Sequence, residues 1–105
     1  MSINILKRAM YLYPPLQGEI FEHLYNLHIK FPADFNKEFL KDSNAFDCLG
    51  LSLKFYEKVD FDNAKYYFKQ ALRLKSDIIE SLKDKRDNYL SYGLNRAFKF
   101  YNQIK

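Results

Sequence analysis

Apolar residues fall at spacings of three and four through most of this chain, and very little in it would interrupt a helix. Glycine and proline number three each in 105 residues. That scarcity leaves little room for a turn-rich β-fold or a disordered segment. With 48% apolar residues, the chain is long enough to close one modest core without staples. The expected class is therefore all-α: a small helical bundle or short α-solenoid of about five to six helices in a single domain.

The helices can be placed by their stripes and stops. Ile3, Leu6, Met10 and Tyr13 mark a first helix that must end before Pro14-Pro15. Pro15 suits the opening of the next, whose stripe runs Ile20, Phe21, Leu24, Leu27 and Phe31 until Pro32 ends it. A short helix through Phe35, Phe39 and Leu40 would complete an N-terminal section, residues 1–42. Ser43 is placed to cap a helix bearing Ala45, Phe46, Leu49, Leu53 and Tyr56. A turn at Val59-Asp60 follows, with Asp60 as cap of a helix from Phe61 to about Lys75. Asp77 and Glu80 have capping-box spacing and open a C-terminal section, residues 77–105. Six polar residues, 83–88, separate Ile78, Ile79 and Leu82 from Tyr89, Leu90, Ala97, Phe98, Tyr101 and Ile104. One long helix and two shorter ones fit that pattern equally.

Within residues 43–76 the pattern Phe46-x-x-Leu49-Gly50-x-x-Leu53, followed by Phe61-x-x-Ala64-x-x-x-Phe68-x-x-Ala71, resembles a tetratricopeptide repeat. That unit is an antiparallel helix hairpin of about 34 residues. Small residues at Gly50, Ala64 and Ala71 would let backbones approach closely, while Phe46, Leu53, Phe61 and Phe68 fill the space between them. The sequence departs from the family in three places. The interval from Gly50 to Ala64 is longer than usual, Val59 stands where a turn glycine is common, and Ser76 where a proline often closes the repeat. Phe21-x-x-Leu24 and Tyr89-x-x-Tyr92-Gly93 are partial echoes on either side.

One repeat cannot bury both its faces, so the flanking helices or another chain must cover it. The resemblance implies a non-enzymatic protein–protein interaction module: an adaptor, a small chaperone or a subunit of an assembly, with a homo- or hetero-oligomer expected. The family's groove is lined by first helices, which implies Asn44, Asp47, Leu51, Lys54 and Phe55 as the partner-binding strip for a peptide or helix. The alternative is that Leu51 and Phe55 pack against the upstream helices. The subfamily that clamps a peptide carboxylate uses Lys and Asn where this chain has Asp47 and Leu51, so that clamp is not expected.

Charge supports a second reading. The net charge is +4, yet residues 1–60 hold 7 Lys/Arg against 8 Asp/Glu and residues 61–105 hold 10 against 5. Lys65, Lys69 and Arg73 repeat at i, i+4, i+8, a one-signed stripe that could track phosphates. A solvated outer helix face is the plainer account of it. Lys83, Lys85 and Arg86 alternate with Asp84 and Asp87 and read as ordinary surface.

Catalysis and metal binding find no motif. There is no phosphate loop, nucleophile elbow, zincin pair or dinucleotide fingerprint. His23 and His28 are five residues apart and cannot share an ion from one helix face. Cys48 alone allows neither a disulfide within the chain nor a cysteine-based zinc site, and reads as a small buried hydrophobe. No catalytic residue, metal or cofactor is expected. The uncharged stretch 9–18 is broken by its prolines and too short for a signal core or a membrane span, so a cytoplasmic setting is expected.

Overall fold

The computed structural model describes residues 3–41, 43–80 and 99–103. The chain is an all-α bundle, with no strand among the described residues. Helix α1 (Ile3–Leu12) leads through a 3-10 turn (Pro14–Leu16) into α2 (Gln17–Lys30). Helices α3 (Pro32–Lys41), α4 (Ala45–Glu57) and α5 (Phe61–Leu74) follow, and residues 78–80 and 99–103 are also helical. The choice between one C-terminal helix and two lies outside the described residues, as do Tyr89, Tyr92 and Gly93.

Proline explains the joints, with one difference from expectation. Pro32 does not merely end α2: it is the first residue of α3, where a missing N–H costs nothing. Phe31 closes α2 by donating its N–H to the Leu27 carbonyl, 2.9 Å away. The cap of α4 is Asn44 rather than the expected Ser43. Asn44 Oδ1 accepts from the Asp47 N–H at 2.8 Å and Asp47 Oδ2 accepts from the Asn44 N–H, a reciprocal capping box. Ser43 instead donates to the Phe39 carbonyl and accepts from Lys7. Asp60 caps α5 as expected, accepting from the Asn63 N–H.

Helices α4 and α5 fold back on each other as a hairpin, sealed by Ser52 Oγ donating to the Ala64 carbonyl at 2.5 Å. The hairpin turns at Val59, whose φ of 64° is left-handed, a region that a β-branched residue adopts only under strain. Val59 is 69% exposed, so no packing offsets that strain. Val59→Gly is expected to stabilise the fold by about 0.5–1 kcal/mol, the relief of the left-handed penalty less glycine's greater chain entropy. Thermal unfolding followed by circular dichroism should show Tm rising by roughly 4 °C. An unchanged or lower Tm would mean that Val59 is not held left-handed.

One continuous core runs from Ile3 to Phe100. Its centre is a chain of rings drawn from four helices. Tyr25 and His28 of α2 meet Phe55 of α4 edge-on, Phe55 stacks on Tyr67 of α5, and Tyr67 meets Phe39 of α3. Tyr67 is anchored in turn by donating its hydroxyl proton to Asn36 Oδ1. The apolar area shared by these rings, plus their edge and stacked geometry, ties the hairpin to the N-terminal helices.

The small residues do not all act where expected. Leu49, Leu53, Ala64, Phe68 and Ala71 are buried. Gly50, however, faces α2 rather than α5. A Cβ there would lie 2.5 and 2.7 Å from Cε2 and Cε1 of Phe21, and closer still to Cζ. Phe46 is only partly buried, and Phe61 is exposed at the start of α5, its ring touching Tyr56 edge-on instead of filling the hairpin.

Candidate functional site

The implied groove strip is closed by the chain's own helices. Leu51 and Phe55 are fully buried, and Asp47 and Lys54 nearly so. The face that a bound peptide would need is taken by α2: Phe21 lies over Gly50, Glu22 approaches Lys54, and Tyr25 and His28 pack on Phe55. Asn44 remains exposed but is committed to the cap of α4. Asn44, Asp47, Leu51, Lys54 and Phe55 therefore do not form an open strip. The physical reason is that α4 buries two faces at once, one against α5 and the other against α2.

The polar members of that strip have internal tasks. Tyr11 donates its one hydroxyl proton to Asp47 Oδ1 at 2.5 Å and accepts from Asn44 Nδ2 at 2.8 Å. Nearby, the Lys7 ammonium donates to the Phe39 carbonyl at 3.2 Å and to Ser43 Oγ at 3.1 Å, and stands over the Phe39 ring. Burial pushes the Asp47 carboxyl up from its ordinary range, against the opposing pull of Tyr11, Asn44 and Lys7. Both Asp47 oxygens are engaged from within, one by Tyr11 and the other by the Asn44 N–H. The network works as a clasp holding α1 to the α3–α4 junction. Lys54 forms ion pairs with Glu57 at 3.3 Å and Glu22 at 3.8 Å, and Lys58 reaches the same Glu22 at 3.0 Å.

The two histidines separate as their spacing requires. His28 is buried between Phe35 and Phe55, with Nδ1 unpartnered among the described residues, and burial holds its pKa below the ordinary value despite the pull of Asp60. His23 is exposed. Cys48 is fully buried as expected, and burial, reinforced by Asp47, pushes its thiol up to about 12. Among the described residues no three His, Cys, Asp or Glu side chains gather as metal ligands.

The outer side of α1 stays open, next to α2. Helix α1 buries Ile3, Lys7 and Met10, while Ile5 and Leu12 stand 70% and 66% exposed on its opposite face. Tyr13 and Leu16 continue the exposed apolar surface into the turn. Beside it, between α1 and α2, lies a cleft of about 330 Å³ lined by Leu6, His23, Asn26, Leu27 and Lys30. Sequence spacing does not mark this surface, because Leu6 and Leu27 fall in the core stripes by period. The signal was present in Ile5 and Leu12, two apolar residues seven apart and out of phase with the α1 core stripe.

No protein family, curated protein or solved structure matches this chain. The functional reading therefore rests on this chain's own surfaces.

The basic stripe is open as well. Lys65, Lys69 and Arg73 are all exposed along the outer face of α5, and none forms an ion pair with another described residue. Arg73 donates from Nε and a terminal nitrogen to Gln70 Oε1, which orients its guanidinium along the helix. Asp62 shares this face one turn before Lys65 and Tyr66. Among the described residues, no helix is long and apolar enough to cross a membrane.

Proposed function

We propose that this chain is a non-enzymatic protein–protein interaction module, an adaptor, small chaperone or assembly subunit, that captures a helix or peptide on the outer side of α1 and α2. The observation carrying this reading is the exposed pair Ile5 and Leu12 beside the α1–α2 cleft. Contiguous apolar surface on a small domain is a common mark of an interaction site. In this reading α4 and α5 are a tetratricopeptide-like hairpin whose groove is filled from within, so capture moves to the layer that fills it. The lone buried thiol suits a cytoplasmic setting, and a hetero-complex suits the exposed apolar face.

The test is an affinity pull-down from lysate of the source organism, with and without nuclease, using the parent chain and an Ile5→Asp, Leu12→Asp variant. Both side chains are exposed, so helicity and Tm should hold while a stoichiometric, nuclease-resistant partner is lost. Equal capture by the variant would remove this surface from the reading.

The second reading, nucleic-acid binding, is favoured by the exposure of Lys65, Lys69 and Arg73, none of them ion-paired with another described residue. It requires partners that vanish with nuclease and an affinity that falls steeply with salt.

A further inference from the structure

The outer surface of α1 and α2 has a chemical pattern that narrows what can dock there. Its floor is apolar: Leu6 and Leu27 line the cleft, and Ile5, Ala9 and Leu12 follow at i, i+4, i+7 on the adjoining face of α1. Its borders are basic. Arg8 stands on α1 beside Ile5 and Leu12, and His23 and Lys30 stand on α2 along the cleft. Neither Arg8 nor Lys30 forms an ion pair with another described residue. The exposed carboxylate on this side of α2, Glu19, sits one turn before His23, outside the residues that line the cleft.

We propose that this surface docks an amphipathic helix of a partner protein whose apolar seam is flanked by acidic residues. The proposal rests on the interaction-module reading above and names its partner class. A helix fits because the cleft runs between two helices, where a third can lay one ridge of side chains. Acidic flanks fit because Arg8 on one border and Lys30 on the other are cationic, and opposed charge at the rim sets partner choice and orientation. A second copy of this chain fits poorly, since its matching face would bring the cations Arg8 and Lys30 against a like-charged face.

Two synthetic peptides of roughly 18 residues separate the cases, long enough to span α1 as a helix. Both carry the same leucine seam at i, i+3, i+4, i+7; one is flanked by Glu and the other by Lys. They are titrated into the full-length, 15N-labelled chain and followed by amide chemical shifts. The Glu-flanked peptide should shift amides along α1 and α2, around Leu6, His23, Leu27 and Lys30. It should bind about tenfold more tightly than the Lys-flanked one. Arg8→Glu with Lys30→Glu, both at exposed positions, should reverse that order while leaving the unbound spectrum otherwise native. Equal binding of both peptides, binding of neither, or shifts centred elsewhere would overturn the proposal. Shifts on α1 that depend on protein concentration without peptide would assign the face to a second copy instead. The outcomes stay separate from the pull-down: a partner lost with Ile5→Asp, Leu12→Asp but indifferent to peptide charge keeps the module and removes the acidic helix.

Discussion

Gly50→Ala is expected to destabilise this protein by about 2 kcal/mol, although alanine is the better helix former. Propensity alone favours the substitution by about 1 kcal/mol in a helix interior. Against that stands a methyl group forced into the Phe21 ring, with three ring carbons inside contact distance. Phe21 is fully buried, so its ring cannot swing into solvent, and overpacking of this kind costs about 1–3 kcal/mol or more. Thermal unfolding should show Tm falling by roughly 10 °C. Adding Phe21→Leu should return part of the loss, because the two side chains compete for the same space. A Gly50→Ala variant as stable as the parent would mean that α2 does not lie on α4 at this point, and would reopen the face on which Leu51 and Phe55 sit.

Phe55→Ala should be costlier still, by about 3–5 kcal/mol. Phe55 touches Tyr25, His28 and Tyr67, so its removal leaves a void where α2, α4 and α5 meet. Small domains hold only about 5–15 kcal/mol in total, so much of the cooperative transition in denaturant should be lost. The measurement discriminates between two roles. A residue lining an open peptide groove would change stability by less than about 0.5 kcal/mol on truncation and would abolish binding instead. A near-parental midpoint for Phe55→Ala would return it to the surface.

These two substitutions mark where sequence reading succeeds and where it stops. Helix positions were legible because they depend on local spacing: Ile20, Phe21 and Leu24 sit on the buried face of α2, and Asp60 begins α5. Caps were legible to within a residue, since Ser43 and Asn44 are both good capping types and only the backbone decides between them. Pro32 marks a stop by its sequence alone, yet the same residue can end one helix and begin the next. The open surface is legible only in the out-of-phase pair Ile5 and Leu12. Leu51 and Phe55 lie on a face of α4 whose cover, α2, lies more than 20 residues earlier in the chain. Conversely, Leu6 and Leu27 belong to core stripes by period and yet border solvent, since no third helix among the described residues closes over them. Which of two apolar faces is covered is a property of helix arrangement, and no single helix carries it.

Cys48 gives this chain a built-in chemical clock. A thiol reacts as its thiolate, and burial suppresses both the thiolate and the approach of any reagent. Modification by a disulfide or maleimide reagent must therefore wait for an opening that exposes the centre of α4. When reclosing outpaces modification, the rate at this one sulfur reads the free energy of that opening under fully native conditions. No thiol need be engineered in, and the chain's only cysteine leaves no second signal to subtract.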